Sequence, residues 1–218
     1  MRWNTVLFDL DGTVTDPKEG ITCAVAYALR QQGIIADPDT LTSFIGPPLH
    51  ESFPELFGLT EEQTDRAVED FRVYFSRQGW AENIPYKGMA ELLESLQGAG
   101  LKLVIATSKP EEYAVQILEH FGLLSYFDQV AGASMDEVRV KKSDVIAYAL
   151  ERADITDLSR AVMVGDRDND MRGAADNGLA SIGVLYGYGS REELEEAGAD
   201  QLAETVEDLK QRLDGGSR

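Results

Sequence analysis

The sequence is poor in the side chains that form crosslinks or bind soft metals, with one cysteine, Cys23, and two histidines among 218 residues. A single cysteine excludes a disulfide within the chain, and with no histidine near it Cys23 is a poor candidate for a nucleophile or a metal ligand. Basic residues are also few, because 20 lysines and arginines face 39 acidic residues, for a formal net charge of -19. This charge disfavours a nucleic-acid polymer or an anionic membrane as a partner, and we expect neither.

Long apolar runs are missing as well. The first residues lack the apolar region of a signal peptide, and no later stretch reaches the length of a membrane span. We therefore expect a cytoplasmic protein with one sizeable core domain, or a core with a small insertion. An anionic small substrate would need positive charge placed locally, since the chain as a whole is negative.

A short apolar run that ends in two carboxylates stands out against this background. Residues 6–13 read Val-Leu-Phe-Asp-Leu-Asp-Gly-Thr, a pattern typical of a buried strand followed by a tight turn at Gly12. Ligands of open α/β sheets bind at the carboxyl ends of the strands, so Asp9 is expected where a substrate would arrive. Asp11 shares its face of the extended chain and should lie close to Asp9. A divalent cation, or a proton on one acid, would relieve the repulsion between them.

The segment from residue 17 to residue 82 is helical in pattern, with no predicted strand. Asp16 is expected to cap a helix that runs to about Gln32, and Thr60 with Gln63 predicts a second helix start with a capping box. Between these helices two adjacent prolines predict a stiff loop, because proline donates no backbone hydrogen bond.

Strands and helices alternate from about residue 85 onward, which indicates a parallel sheet. We predict strands at residues 103–106, 129–131, 161–164 and 181–184, separated by helices that begin near residues 88, 110, 143 and 167. With the strand at Val6 this gives a doubly wound, Rossmann-like α/β fold with a parallel five-stranded sheet. The predicted core comprises residues 1–15 and 85–218, and the predicted helical cap, inserted after the first strand, comprises residues 16–84.

Two hydroxyl residues, Thr107 and Ser108, follow the strand at 103–106. Pro110 is expected at the first position of the next helix. Free backbone N–H groups at a helix start, with hydroxyl donors beside them, form an anion site, although an ordinary helix cap would use the same residues.

Two lysines, Lys141 and Lys142, lie at a predicted helix start. Cations at this end oppose the helix dipole, so their presence calls for an explanation. A bound phosphate would provide one. The alternative is a pair of solvated lysines that offset a very acidic surface.

The predicted strand at residues 161–164 is also apolar and is followed by acidic residues. Asp166 and Asp170 are four positions apart and would face the same way at a helix start, whereas Asp168 would point elsewhere. Acids at helix N-termini are common, so this motif taken alone does not separate a metal site from ordinary helix stabilisation.

These four motifs, in this order, resemble those of the haloacid-dehalogenase-like hydrolase superfamily. The first corresponds to residues 8–16, Phe-Asp-Leu-Asp-Gly-Thr-Val-Thr-Asp, and the resemblance covers essentially the whole chain. It implies a magnesium-dependent phosphatase. Asp9 would be the nucleophile that forms an aspartyl-phosphate, and Asp11 would supply and then remove protons.

The resemblance also implies roles for the other motif residues. Thr107 would bind the phosphoryl group together with Thr13 and Ser108. Lys142, by its spacing to the apolar pair that follows, would be the lysine that neutralises phosphoryl charge, with Lys141 as its competitor. The implied magnesium ligands are Asp9, Asp166, Asp170 and, through its backbone carbonyl, Asp11.

Within the superfamily, residues 46–49 and 139–146 look most like the phosphoglycolate-phosphatase and 5'-nucleotidase branch. This similarity implies a small phosphorylated metabolite as substrate, with Gly46, Pro47 and His50 as candidate specificity residues of the cap. We expect a monomer or a weak homodimer.

Two other functions compete with this interpretation. Sugar-phosphate mutases resemble this fold, but they usually carry an arginine where this chain has Pro47 and Pro48. A signalling phosphoacceptor domain also combines clustered aspartates, a hydroxyl and a lysine, yet it needs neither the proton donor Asp11 nor a helical insertion. A dehalogenase would not be expected to carry aspartate at position 11.

Overall fold

The computed structural model describes residues 2–134 and 138–215, and the chain divides into two compact units. The first, which we call the α/β unit, comprises Met1–Asp16 and Pro85–Arg218. The second, which we call the helical unit, comprises Pro17–Ile84.

Every strand that the sequence predicts is present, and the structure contains further short strands that the sequence does not predict. In chain order they are β1 (Thr5–Phe8), β2 (Thr15–Asp16), β3 (Ile84–Pro85), β4 (Lys102–Pro110), β5 (Gln129–Ala133), β6 (Ala161–Gly165), β7 (Ala180–Val184) and β8 (Gln201–Ala203). β2 and β3 form a separate two-stranded sheet at the segments where the chain passes between the units.

The helices are distributed over both units. In chain order they are α1 (Lys18–Gln31), α2 (Leu49–Phe57), α3 (Glu61–Tyr74), α4 (Met89–Gly98), α5 (Glu111–His120), α6 (Lys142–Arg152), α7 (Asp168–Asp176), α8 (Arg191–Glu196) and α9 (Val206–Leu213). Short 3-10 turns lie at Pro38–Thr40, Thr42–Phe44, Leu124–Tyr126 and Leu158–Arg160, and a π-helical turn follows α3 at Phe75–Gly79.

The main sheet of the α/β unit is parallel, with the strand order β5-β4-β1-β6-β7-β8. The α/β class is therefore confirmed, but the prediction of five strands was wrong. The sixth strand, β8, is only three residues long and pairs with β7 alone, so its sequence carries too little alternation to be recognised.

β1 lies at the point where the strand order reverses, with β4 on one side and β6 on the other. Phe8 pairs with Ile105 of β4 and with Val164 of β6. Because these three residues lie side by side, the residues that follow them reach the same edge of the sheet. In folds of this kind that edge is where ligands bind.

Apolar packing fixes the start of α6 against the sheet. Val145 and Ile146 of α6 are fully buried with Leu7 of β1, Val104 of β4 and Met163 of β6. Large-to-small substitutions at such positions typically cost about 2 to 5 kcal/mol, so the first turn of α6 is held firmly relative to β1.

The helical unit contains α1, α2 and α3 and confirms the helical pattern of its sequence. Thr60 and Gln63 form the predicted capping box, with reciprocal bonds of 3.3 and 3.0 Å between side chains and backbone N–H groups. The predicted cap of α1 was wrong. Pro17 occupies the N-cap position, and the Asp16 carboxylate instead accepts a hydrogen bond from the phenol of Tyr188.

No helix in the described part of the chain combines the length and the apolar composition needed to cross a bilayer.

Candidate active site

Asp9 is held at the carboxyl end of β1 by a continuation of the sheet ladder. Its backbone N–H donates to the carbonyl of Val164 at 2.9 Å, and its side chain is 8% exposed. A carboxylate at this depth needs compensating charge, because burial without a partner is costly.

Lys142 supplies that charge from the first turn of α6. Its Nζ lies 2.9 Å from Asp9 Oδ1 and 2.7 Å from Asp170 Oδ1, and it donates to the carbonyl of Ala106 at 3.2 Å. Burial would lower the pKa of this amine, but the charges of Asp170 and Asp9 outweigh that effect and raise it. The lysine therefore stays protonated between its two carboxylates. Lys141, its competitor in the sequence, is exposed at the N-cap.

Asp9, Asp166 and Asp170 form a buried cluster in which one carboxylate oxygen from each residue lies within 4.8 Å of the others. Burial raises the pKa of Asp166 well above its ordinary value, and the charges of Asp170 and Asp9 add to that effect. Burial likewise raises the pKa of Asp170 to about 6, against the opposing charge of Lys142. All the donors are oxygens, which Mg²⁺ prefers, and a bound cation would remove the mutual repulsion. The residues present thus fit a magnesium site.

Asp166 is enclosed by neighbouring backbone. Its Oδ2 accepts the backbone N–H of Tyr188 at 2.8 Å, and its Oδ1 faces the hydroxyl of Thr13 at 3.4 Å. Gly12, at φ +81°, and Gly187 both pack so closely that an added Cβ would approach Asp166 atoms to 2.1 and 2.4 Å. Glycine is required at both positions because any side chain there would overlap the carboxylate.

Asp170 lies in the first turn of α7, where its Oδ2 accepts the backbone N–H of Arg167 at 3.1 Å. Asp168, as predicted, points elsewhere and pairs with Arg172 at 3.1 Å. The four-residue spacing therefore aims Asp166 and Asp170 into the cluster and leaves the acid between them outside it.

Asp11 has a different partner from the rest of the cluster. Its Oδ2 lies 2.9 Å from Nζ of Lys109, a lysine whose side chain is 6% exposed. Burial raises the pKa of Asp11, although Lys109 opposes this shift. The other oxygen, Oδ1, is buried and accepts no hydrogen bond from the described residues. Asp11 is therefore an ion-paired carboxylate whose pKa is raised by burial, with one oxygen available to a ligand.

The second motif lies at an irregular end of β4, where the register with β5 shifts between Thr107 and Pro110. Thr107 is buried, and its Oγ1 accepts the backbone N–H of Lys109 at 3.2 Å, while Ser108 is half-buried. The predicted position of Pro110 was wrong by one residue. Pro110 is the N-cap, with extended backbone at φ -52° and ψ 132°, and α5 begins at Glu111.

The structure thus brings most of the predicted site residues to one edge of the α/β unit. The cap candidates Gly46, Pro47 and His50 belong to the helical unit, where His50 lies 3.4 Å from Asp65 and is largely exposed. Any contact between these three residues and a substrate stays a prediction.

Sequence reasoning missed two parts of the site. Lys109 stands beside the predicted hydroxyls, and the backbone of the 186–189 loop supports Asp166, but the sequence analysis assigns a role to neither. The loop follows β7 at the same sheet edge, so its pair of glycines after a strand was the available signal.

The comparisons with known proteins agree with this geometry. A family model described as haloacid dehalogenase-like hydrolase matches residues 6–184. A 5'-nucleotidase of Pseudomonas aeruginosa is 42% identical over 196 residues, which cover 89% of this chain and 88% of the relative. The tyrosine-protein kinase PtkA of Mycobacterium tuberculosis is 40% identical over 212 residues, 95% of this chain and 72% of the relative.

More distant relatives and solved structures extend the pattern. A phosphoglycolate phosphatase of Agrobacterium fabrum is 31% identical over 84% of this chain and 80% of the relative. A crystal structure described as a predicted phosphatase from Clostridium acetobutylicum is 46% identical, covers 98% of this chain and 99% of its own, and superposes with a TM-score of 0.93. The chain belongs to the haloacid dehalogenase-like hydrolase family, in the branch whose named members include 5'-nucleotidases and phosphoglycolate phosphatases.

Proposed function

We propose that the protein is a magnesium-dependent phosphatase that hydrolyses a small phosphomonoester through an aspartyl-phosphate on Asp9. The observation that carries the proposal is the buried arrangement of Asp9 with Lys142, Asp166 and Asp170 at the switch point of the sheet. A carboxylate in this position, next to a lysine and a candidate cation site, has what phosphoryl transfer requires, namely a positioned nucleophile and compensating positive charge.

In the first half of the reaction, an Asp9 carboxylate oxygen attacks phosphorus as the ester P–O bond breaks. The leaving alkoxide takes a proton from the Asp11 carboxyl, whose pKa burial raises. Lys142 and Thr107 would bind the phosphoryl oxygens and hold them in line for the attack.

In the second half, the Asp11 carboxylate takes a proton from water while the water oxygen attacks phosphorus. The bond to Asp9 breaks, inorganic phosphate leaves, and both aspartates return to their starting states. Mg²⁺, held by Asp9, Asp166 and Asp170, would offset the negative charge of the phosphoryl oxygens.

The helical unit would act as a cap that excludes water and selects the leaving group, with Gly46, Pro47 and His50 as its specificity candidates. This role is drawn from the family resemblance and from the insertion of the unit after β2. Replacing His50 with alanine should then change the ratio of kcat/KM between two substrates, while hydrolysis of a small generic ester stays unchanged. An equal effect on every substrate would contradict the role in specificity.

The names of the relatives direct the choice of substrates. We expect 5'-nucleotides or phosphoglycolate to be hydrolysed best, and phosphate release should be measured across nucleoside monophosphates, phosphoglycolate and sugar phosphates, with and without Mg²⁺. Asp9→Asn and Asp11→Asn should both abolish release, whereas Asp168→Asn, which changes an acid outside the cluster, should not. Stoichiometric labelling without turnover would instead indicate a phosphoacceptor.

The 40% identity to a relative named as a tyrosine-protein kinase supports a second candidate, transfer of a phosphoryl group to a tyrosine hydroxyl instead of water. Incubation with labelled ATP and a tyrosine-containing polypeptide distinguishes the two activities. The phosphatase proposal predicts no transfer of label to the polypeptide, since its substrates are phosphomonoesters hydrolysed by water, and stable phosphotyrosine as the main product would contradict it.

A further inference from the structure

Lys109 is a buried lysine at the ligand-binding edge of the sheet to which the proposed mechanism gives no role. It lies at the irregular end of β4, its side chain is 6% exposed, and its Nζ is 2.9 Å from Asp11 Oδ2. Its backbone N–H donates to Oγ1 of Thr107, the hydroxyl proposed to bind phosphate. Burying an ammonium group is costly, so a lysine kept in this place calls for a function or a permanent counter-charge.

The charges at this edge do not balance once a substrate is considered. The buried groups comprise four carboxylates and two ammonium groups, namely Asp9, Asp11, Asp166, Asp170, Lys109 and Lys142. One divalent cation would offset the excess negative charge of this set, and a phosphoryl group would then add more. Lys142 already lies between two carboxylates of the cation cluster, whereas Lys109 lies on the Asp11 side.

Asp11 must change partner during the proposed reaction. A carboxyl group that protonates the leaving oxygen has to point at that oxygen, and a carboxylate held by an ammonium group at 2.9 Å is not free to do so. If phosphoryl oxygens took the place of Asp11 beside Lys109, the ammonium group would keep an anionic partner and Asp11 would be released.

We propose that Lys109 is a second phosphoryl-binding cation, which the Asp11 carboxylate holds in position until the phosphoryl group of the substrate replaces it. The inference rests on the proposed phosphatase function and adds a substrate contact to it. The competing explanation is that Lys109 only neutralises Asp11 and never contacts the substrate.

The test measures binding of inorganic phosphate by calorimetry in the presence of Mg²⁺, which requires no turnover. Lys109→Met should weaken phosphate binding about tenfold or more, the scale of a lost charge-assisted hydrogen bond. Lys109→Arg, which keeps the charge, should bind within a few-fold of the wild type. Lys141→Met, which removes an exposed lysine beside Lys142, is the matched control and should change nothing.

The same Lys109→Met substitution in an Asp11→Asn variant distinguishes phosphate binding by Lys109 from neutralisation of the Asp11 carboxylate. It also avoids leaving a buried Asp11 carboxylate without its partner. The Asp11→Asn variant lacks this carboxylate, so if Lys109 only neutralises Asp11, its removal from this variant should not affect phosphate binding. Adding Lys109→Met to Asp11→Asn should still weaken phosphate binding about tenfold if Lys109 contacts phosphate. Unchanged phosphate affinity in this double variant would overturn the inference.

Failure of the inference and failure of the proposed function look different in these measurements. A wild-type protein that hydrolyses phosphomonoesters, with a double variant that binds phosphate as tightly as Asp11→Asn, would contradict only the role of Lys109. A wild-type protein that binds phosphate through Lys109 but releases none from any ester would support the contact and contradict the phosphatase.

Discussion

In the α/β unit the ion-paired side chains of Lys142 and Asp170 are 2% and 0% exposed, whereas the paired side chains of Arg66 and Glu62 in the helical unit are 63% and 78% exposed. The contrast extends to other pairs. Lys109 and Asp11 are nearly buried, while Lys18 and Asp39 of the helical unit are exposed. The buried polar residues described in the helical unit are neutral, namely Thr22, Ser52, Thr64 and Asn83.

We propose that this difference separates charges that take part in the reaction from charges that only face solvent. Removing an ion from water costs several kcal/mol, and apolar residues of similar volume are often at least as stable in the same place. Charges retained in the interior of the α/β unit are therefore best explained by the reaction they support. The helical unit carries no such buried charge among its described residues.

The strongest prediction from this comparison concerns Lys142. Lys142→Met would leave Asp9 and Asp170 buried without their cation, and breaking such a pair typically costs about 3 to 5 kcal/mol. We expect a loss of that size in urea denaturation, together with loss of phosphatase activity. Lys141→Met, one residue away and exposed, should leave both unchanged. Equal effects of the two substitutions on stability and activity would contradict the claim that the buried lysine matters more than the exposed one.

The pH dependence of stability sharpens the same comparison. Burial raises the pKa of Asp170 to about 6 in the folded protein, from an ordinary value of 3.8, against the opposing charge of Lys142. The folded state therefore holds this proton more tightly than the unfolded state. Metal-free protein should lose stability as the pH rises through this window, by an amount of the order of 3 kcal/mol.

Urea denaturation between pH 4 and pH 7 checks this expectation, and saturating Mg²⁺ should reverse most of the loss because the cation replaces the proton. Asp168→Asn serves as the control, since it changes an acid of the same helix outside the cluster and should keep the wild-type slope. A metal-free stability that rises across the window would contradict the assignment of buried acids with raised pKa values.

Gly187→Ala tests how closely the 186–189 loop encloses Asp166. The added Cβ would lie 2.4 Å from the Cβ of Asp166 and from the carbonyl oxygen of Gly12, so the loop must move. We expect a loss of about 2 kcal/mol and weaker Mg²⁺ binding, measured by thermal denaturation and by calorimetry. Gly98→Ala is the matched control because nothing lies within 4 Å of its added Cβ. A normal Mg²⁺ affinity in Gly187→Ala would show that the loop does not position the carboxylate.

The smallest effect is expected in the helical unit. Arg66→Gln removes an exposed partner of Glu62 on α3, and such pairs contribute about 0.5 kcal/mol or less. Thermal denaturation and phosphate release should both be close to the wild type. A loss comparable with that of Lys142→Met would contradict the view that the ion pairs of this unit are superficial.

The sequence predicts the α/β class and the clustering of Asp9, Asp166 and Asp170 because each feature is local. An apolar strand that ends in an acid, and two acids four positions apart at a helix start, are visible in a few consecutive residues. Which of the two lysines is buried cannot be determined from the neighbouring residues alone. Lys141 and Lys142 differ only in which way the first turn of α6 faces, and that is fixed by the burial of Val145 and Ile146 against distant strands.

The features that sequence reasoning missed depend on contacts across the fold. The ion pair between Lys109 and Asp11 depends on the irregular end of β4, and Asp16 bonds a tyrosine 172 positions away instead of capping α1. β8 pairs along one side only and is too short to show a pattern. Local propensity carries no information about such partners.

The central claim is that Asp9 carries the phosphoryl group, and acid-quenched labelling tests it most directly. Wild-type enzyme mixed with Mg²⁺ and its best substrate, labelled in the phosphoryl group, should show a transient acid-stable label on the peptide that contains Asp9. Asp9→Asn should show neither the label nor phosphate release, while it still binds inorganic phosphate. Label on another residue, or turnover by Asp9→Asn at the wild-type rate, would contradict the account.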